Sequence, residues 1–218
     1  IDPYSHEWSN ESIDYNLTCT DQKSGCEEIF YTTILGDSCP SSGYNSELTS
    51  YSTIKEVSCP DENVCRKRVC YYSKDVAGNT EHRDKSGVFK IDRTKPQMSC
   101  NDCWEQEDSQ VKFTPQISDT GSGFDSMSIC LDENCVRKIC SSETSKNCTY
   151  SVKKCESRES GFWVSAEDKV TNSRISLGGT FEIKRKEGCA CTYDSECGTG
   201  KCTEGTCLNA NPPRIFFP

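Results

Sequence analysis

Histidine and long apolar runs are both scarce in this chain. Its 218 residues include two histidines, His6 and His82, and hydrophobic residues make up 33%, with a mean hydropathy of -0.71. Because these catalytic sites depend on histidine, so few imidazoles argue against Ser-His-Asp, Cys-His or zinc-hydrolase catalysis. No apolar run approaches the roughly 20 residues of a membrane helix, and no basic-then-apolar signal opens the chain. We therefore expect no enzyme, no catalytic residue and no membrane insertion, and we expect a mature, processed segment.

Phosphate-binding features are also missing. Asp119–Gly123 reads Asp-Thr-Gly-Ser-Gly, without the lysine and the strand–helix context of a phosphate loop. The formal net charge is -9, with 34 acidic residues against 25 basic ones. This charge repels nucleic acid and anionic lipid head groups, so we expect neither as a partner.

Cysteine, by contrast, is abundant, with 18 residues. A small apolar core does not offset chain entropy alone, and secreted domains of this kind are closed by disulfides worth roughly 2–4 kcal/mol each. Zinc is the other use for many thiols, but Cys100-x2-Cys103 has no second such knuckle. The sequence therefore predicts nine disulfides, no free thiol and an extracellular, cell-surface location. Three glycosylation sequons agree with secretion, at Asn10, Asn16 and Asn147.

Two disulfides are predicted across short turns. Cys19 and Cys26 bracket one turn and Cys130 and Cys135 another, and each turn can bring two Cα atoms to within about 6 Å. Pairing of each cysteine elsewhere stays open as the alternative, because neighbours such as Cys140 compete for the same partners.

The remaining pairs rest on loop lengths and on parity. In the first half, a Cys39–Cys59 bridge would close the long loop, and a Cys65–Cys70 bridge would complete three. Residues 96–186 hold seven cysteines and the tail holds five, so one bridge should join them, with Cys189 as the partner in the tail. The predicted disulfide residues are Cys19, Cys26, Cys39, Cys59, Cys65, Cys70, Cys100, Cys103, Cys130, Cys135, Cys140, Cys148, Cys155, Cys189, Cys191, Cys197, Cys202 and Cys207.

The chain contains an internal repeat. Both copies consist of short alternating segments rich in Val, Ile, Tyr, Phe and Thr, separated by turn residues, which is typical of a β-sandwich. No apolar period of about 3.6 residues is sustained, so we expect little helix. The matching stretches are Asp21–Gly25 with Asp119–Gly123, Cys70–Asp75 with Trp163–Asp168, and Gly87–Arg93 with Gly179–Arg185.

These matches predict an all-β chain with four parts. Two β-sandwich domains span residues 1–95 and 96–186, joined at Thr94-Lys95-Pro96, where proline enforces an extended linker. Residues 187–210 form a cysteine-rich module with almost no aliphatic side chains. Residues 211–218 form an extended tail that contains the apolar cluster Ile215-Phe216-Phe217.

Two segments carry a resemblance to a known family. Tyr72–Thr80, Tyr-Ser-Lys-Asp-Val-Ala-Gly-Asn-Thr, followed by Val88–Pro96, Val-Phe-Lys-Ile-Asp-Arg-Thr-Lys-Pro, resembles the immunoglobulin-like repeats of bacterial and archaeal surface proteins. Leu17–Cys26 looks like the cysteine-bearing version found in archaeal surface proteins. The resemblance covers about residues 1–186 and implies spacer, adhesive or filament roles. The second copy departs from the pattern, with Lys169–Asn172 in place of Val76–Asn79.

The cysteine-rich module is similar to the four-cysteine modules of many secreted proteins. The similarity lies in the spacing Cys191-x5-Cys197-x4-Cys202-x4-Cys207. It implies a compact disulfide knot and names no activity.

Aspartates that begin turns raise the question of calcium. Asp21 and Asp119 begin Ser-Gly turns, and Asp75 and Asp168 begin the later turns. Such aspartates most often cap turns through their own backbone. Calcium needs six to eight oxygen ligands, and the sequence alone does not assemble them. We expect no cofactor and no metal ligand, with calcium as the alternative.

Together these features favour a structural component of an extracellular filament, stalk or adhesin. Its partners would be other copies of itself or further domains of a longer surface protein. Ile1-Asp2-Pro3 resembles the linker between the two copies, and the apolar tail is suited to strand donation to a neighbouring subunit. The alternative is a recognition module that binds a glycan or protein through its loops or cysteine-rich tail. In that case Trp8, Trp104 and Trp163 would be stacking platforms.

Overall fold

The regular secondary structure of the described residues is almost entirely β-strand. The computed structural model describes residues 7–48, 54–61, 63–107, 110–143, 145–153, 155–156, 158–184, 189–197 and 201–208. These residues form 19 strands and one 3-10 turn, without an α-helix, so the all-β prediction is confirmed. None of the described segments forms a helix long and apolar enough to cross a membrane. The sequence features at residues 1–3 and 211–218 lie outside the described residues.

The chain divides into two compact units. The first consists of Ile1–Lys95 together with two short later segments, Asp119–Gly123 and Asp168–Asn172. The second consists of Pro96–Ser118, Phe124–Glu167 and Ser173–Pro218. The main division therefore falls within the predicted linker, and two turns from later in the chain belong to the first unit.

The first unit is built on one mixed sheet. Strands β1, β8, β6, β3 and β4 lie side by side in that order, β7 pairs with β6, and β2 pairs separately with β5. The strands are β1 (Trp8–Ser9), β2 (Ile13–Tyr15), β3 (Cys26–Ile34), β4 (Asn45–Leu48), β5 (Lys55–Val57), β6 (Val64–Asp75), β7 (Asp84–Lys85) and β8 (Phe89–Asp92). The buried core is small and consists of Tyr15, Val57, Cys59, Cys65, Val69, Phe89 and Ile91.

The second unit is a sandwich of antiparallel sheets. One sheet has the order β14-β13-β16-β17, a second has β10-β11-β15, and β9 pairs with β12. The strands are β9 (Gln97–Ser99), β10 (Trp104–Glu107), β11 (Gln110–Phe113), β12 (Gln116–Ser118), β13 (Phe124–Cys130), β14 (Lys138–Glu143), β15 (Cys148–Ser151), β16 (Arg158–Asp168) and β17 (Ser173–Ile183). Its core draws on both larger sheets and contains Val111, Phe113, Ile117, Met127, Ile129, Phe162, Val164, Ala166, Phe181 and Ile183.

A two-residue period determines which side chains are buried along β16. Phe162, Val164 and Ala166 are buried, whereas the side chains between them are half-buried. Successive side chains of a strand point to opposite faces, so the same period places Asp168 on the buried side. Asp168 is in fact 1% exposed. The fold thus buries a carboxylate at a position where the pattern calls for an apolar residue.

The cysteine-rich segment has a minimal core of its own. Its elements are a 3-10 turn at Asp194–Glu196 and the paired strands β18 (Cys202–Thr203) and β19 (Thr206–Cys207). The buried cluster consists of Cys191, Cys197 and Cys207, with Cys202 packed against it. Since bridges join Cys191 to Cys202 and Cys197 to Cys207, covalent links replace the apolar side chains that this segment lacks.

All 18 cysteines are paired, in nine bridges. The turn-spanning pairs Cys19–Cys26 and Cys130–Cys135 are as the spacing predicts. Cys155–Cys189 is the bridge that the odd cysteine counts predict between residues 96–186 and the tail. Cys100 is paired with Cys103, so neither is available as a zinc thiolate. The other bridges are Cys39–Cys70, Cys59–Cys65, Cys140–Cys148, Cys191–Cys202 and Cys197–Cys207.

Two predicted pairs in the first unit are wrong. The structure pairs Cys39 with Cys70 and Cys59 with Cys65, in place of Cys39–Cys59 and Cys65–Cys70. Cys65 and Cys70 both lie on β6. A rise of about 3.3 Å per residue separates their Cα atoms by roughly 16 Å and turns their side chains to opposite faces. A disulfide spans less than about 7 Å between Cα atoms, so each must pair with a neighbouring segment.

A close contact across β16 and β17 yields a stability prediction. A Cβ added at Gly178 would collide with the ring of Phe162, which is fully buried. We expect Gly178→Ala to lower the free energy of unfolding by about 1–3 kcal/mol, as overpacking of a core does. At Gly161, on the adjacent strand, a Cβ would meet no atom nearer than 3.8 Å. Gly161→Ala is therefore the control, and equal denaturation midpoints for the two variants would refute this packing argument.

Candidate metal centre

Three aspartates of the first unit converge on one point. Asp92 ends β8, Asp119 begins the turn at residues 119–123, and Asp168 ends β16. One carboxylate oxygen from each lies within 4.8 Å of the other two. Asp92 and Asp168 are 0% and 1% exposed, and Asp119 is half-buried. No ion pair joins any of the three to a basic side chain among the described residues.

The Asp92 carboxylate is held by the linker and by the 119–123 turn. Its Oδ1 accepts hydrogen bonds from the Thr94 backbone N–H, at 3.0 Å, and from the Thr94 hydroxyl, at 2.6 Å. Its Oδ2 accepts one from the Ser122 backbone N–H at 2.6 Å. Burial raises the pKa of Asp92, but these hydrogen bonds outweigh it, so the pKa lies below its ordinary value. The group is therefore an ionised carboxylate sealed from solvent.

Asp168 is fixed by the turn that it begins. Its Oδ1 accepts from the backbone N–H groups of Val170 and Asn172, both at 2.9 Å. The Asn172 side-chain amide donates to Asp168 Oδ2 at 2.8 Å and to the Asp92 carbonyl at 2.9 Å. Asn172 thus ties the turn at residues 168–172 to the end of β8.

The 119–123 turn leaves two buried oxygen atoms unused. Asp119 Oδ2 accepts from the backbone N–H groups of Gly121, at 3.0 Å, and Gly123, at 3.3 Å. Asp119 Oδ1 and the Ser122 hydroxyl are buried and have no hydrogen-bond partner among the described residues. Buried polar atoms without a partner are rare in native proteins.

The electrostatic environment of Asp119 is unfavourable for an anion. Burial raises the pKa of Asp119, and hydrogen bonds from Gly121 lower it in part. The negative charges of Asp92 and Asp168 raise the pKa further. The net direction is upward, as expected for carboxylates that share one site.

Glycine is required where the turn meets Asp92. A Cβ at Gly121 would collide with the Asp92 carboxylate. Gly123 has a φ of +94°, which L side chains rarely adopt. The Thr-Gly-Ser-Gly sequence after Asp119 therefore brings this backbone close to Asp92.

The equivalent turn of the first copy is arranged differently. Ser24 Oγ lies 2.7 Å from Asp21 Oδ2 and 2.8 Å from Asp75 Oδ2, so one hydroxyl bridges two carboxylates. Hydrogen bonds hold the pKa of both carboxyl groups below the ordinary range. The main cause is the Lys23 backbone N–H for Asp21 and the Asn79 side chain for Asp75. The matching hydroxyl in the second copy makes no such bridge.

The later turns of the two copies share one geometry despite their different sequences. The backbone N–H of Asp75 donates to the Asn79 carbonyl at 3.0 Å, and that of Asp168 donates to the Asn172 carbonyl at 3.1 Å. Thr171, with φ +69°, takes the place of Gly78, with φ +89°. This left-handed conformation costs a threonine roughly 1–2 kcal/mol. The sequence difference between the two turns therefore leaves the turn geometry intact at the cost of backbone strain at Thr171.

The predicted glycosylation residues differ in accessibility. Asn16 and Asn147 are exposed. Asn10 is half-buried and donates its side-chain amide to Thr171 Oγ1 at 3.2 Å. Occupancy of all three sequons stays a prediction, and the geometry favours Asn16 and Asn147.

None of the three tryptophans is a fully exposed ring. Trp8, Trp104 and Trp163 are all half-buried. Trp104 packs edge-on against Phe181, with ring centroids 6.3 Å apart, and the guanidinium of Arg66 lies 5.3 Å from the Trp8 ring centroid. For Trp8 and Trp104 these contacts indicate structural roles.

Comparisons with known proteins identify no family for this chain. No protein-family model matches the chain, and no curated protein matches it. Among solved structures, the fibronectin(III)-like modules of Clostridium thermocellum CbhA are similar at 12% identity and a TM-score of 0.36, covering 84% of this chain and 92% of that chain. At that TM-score the likeness carries no argument about function.

Proposed function

We propose that this chain is a structural component of an extracellular cell-surface assembly, such as a filament, a stalk or an adhesin. Two tandem immunoglobulin-like domains and a cysteine-rich module act as disulfide-locked spacers, without a catalytic role. The observation that carries the proposal is the pairing of all 18 cysteines in nine bridges spread over both units. Such density is typical of small secreted domains and is rare where thiols are kept reduced.

An exposed sheet edge supports self-assembly. In the described residues, β17 pairs with β16 on one side and ends its sheet on the other. Ile175 and Leu177 on this strand are 41% and 66% exposed. An apolar edge strand is a site for pairing with another chain. We therefore infer that further copies, or further domains of a longer surface protein, are the partners.

The test is the state of association of the secreted, oxidised chain. Sedimentation velocity and electron microscopy should show assembly that increases with concentration. Leu177→Lys should abolish this assembly, because a charge on the edge strand opposes pairing. The control is Leu35→Lys, at a loop residue that is 76% exposed. A chain that stays monomeric throughout, or that loses assembly equally in both variants, would contradict edge pairing.

A further inference from the structure

The three converging aspartates have no basic side chain among the described residues to balance their charge. Asp92 and Asp168 are almost completely excluded from solvent, and Asp119 lies against both. Buried charges in proteins are paired, neutralised or bound to metals. Hydrogen bonds from Thr94, Ser122 and the turn amides orient these carboxylates, but no described basic side chain forms an ion pair with them.

A second observation points to a ligand independently of the charge. Asp119 Oδ1 and Ser122 Oγ are buried oxygens with no partner among the described residues, and Ser122 as a residue is only 7% exposed. The Ser122 backbone N–H already contacts Asp92 Oδ2, so this serine belongs to the cluster. In the first copy the matching hydroxyl of Ser24 joins two carboxylates. In the second copy a third carboxylate is added, and the Ser122 hydroxyl does not join two carboxylates.

We propose that Asp92, Asp119 and Asp168 bind one calcium ion, which fastens the turns at residues 119–123 and 168–172 to the end of β8. Three carboxylates and a serine hydroxyl are hard oxygen ligands, and calcium accepts six to eight such oxygens, with water completing the set. This inference goes beyond the proposed function and does not depend on it.

The donor atoms exclude softer metals. Zinc and copper sites use imidazole or thiolate. All 18 cysteines are in disulfides, and His82, the histidine among the described residues, is exposed and is not part of the cluster. Magnesium demands near-ideal octahedral geometry and keeps several waters. Calcium fits a crowded, irregular set of carboxylates better.

Titration of CaCl2 into the chelator-treated, oxidised full chain tests the site. Calorimetry should give one site, with a Kd of about 10⁻⁴ to 10⁻³ M as in extracellular modules. A saturating calcium concentration should raise the melting temperature, because the ion binds the folded state alone. An unchanged melting temperature and no heat of binding would overturn the proposal, as would an equal response to MgCl2.

Asp119→Asn separates calcium binding from turn capping. An asparagine oxygen can still accept from Gly121 and Gly123, while the unpartnered oxygen becomes an amide and one negative charge is removed. Without calcium, this variant should melt at or above the wild-type temperature, since repulsion among the carboxylates falls. With calcium the order should reverse, and the Kd should rise at least about tenfold, because affinity follows the charge of the ligands. Equal calcium affinity in the variant and the wild type would overturn the assignment.

A control variant and a second ligand variant complete the test. Asp14→Asn removes the same charge from an exposed position on β2, and its calcium affinity should match the wild type. Ser122→Ala keeps every carboxylate and should weaken calcium binding, because it removes one oxygen ligand; an unchanged affinity would remove Ser122 from the ligand set. Loss of affinity in Asp14→Asn equal to that in Asp119→Asn would show a diffuse charge effect and reject the site.

Discussion

Complete reduction will unfold this chain at room temperature. Each disulfide contributes roughly 2–4 kcal/mol, whereas the net stability of a folded protein is about 5–15 kcal/mol. With nine bridges, even partial additivity exceeds that total. The effect should be largest at residues 189–208, because the buried cluster there consists of cysteines and loses its links on reduction. The small apolar core of the first unit offers little to compensate.

Circular dichroism of the reduced, alkylated chain against the oxidised chain measures this effect. The reduced chain should lack near-ultraviolet signal and a cooperative melt, and the oxidised chain should retain both. A reduced chain that melts within a few degrees of the oxidised one would show that burial, not bridging, maintains the fold. Alkylation of the oxidised chain without reductant controls for the reagent.

Phe113→Ala should destabilise the second unit more than Gly178→Ala does. Phe113 is 0% exposed, and its ring centroid lies 5.1 Å from that of Phe162 and 5.5 Å from that of Phe181. Truncating a buried phenylalanine costs about 3–5 kcal/mol, through lost burial and the cavity that remains. Three mutually packed rings leave little freedom for the cavity to collapse, so we expect the upper part of that range.

Guanidinium denaturation of the oxidised variant supplies the measurement. The control is Val136→Ala, since Val136 is 80% exposed and surface substitutions stay within about 0.5 kcal/mol. A decrease in the free energy of unfolding of less than about 1 kcal/mol for Phe113→Ala would contradict a packed aromatic core, in which Phe→Ala costs about 3–5 kcal/mol.

Local patterns are sufficient to predict the fold class. Alternating segments predict strands because one face is buried, and β16 shows this with Phe162, Val164 and Ala166 inward. Bridges across short turns, such as Cys19–Cys26, follow from the same local geometry. The Cys39–Cys70 bridge cannot be found in this way, since it depends on how far β6 extends and which loop lies beside it.

The sequence alone indicates only part of the acidic cluster. Asp119 and Asp168 stand out because they begin turns, whereas Asp92 is part of a linker motif that suggests no ligand role. The three meet because β8, the 119–123 turn and the end of β16 come together in the first unit. No spacing rule encodes such a long-range contact. The one available signal is Asp168, an aspartate at an inward position of the apolar strand β16.

The pairing of every cysteine is tested most directly by intact mass after alkylation in denaturant. Iodoacetamide should add nothing to the unreduced, secreted chain and should add 18 groups after reduction, one for each cysteine. Digestion without reductant should then join the peptides that contain Cys155 and Cys189, and those that contain Cys39 and Cys70. Several alkyl groups added before reduction, or zinc bound to the chain, would contradict a disulfide-locked extracellular module.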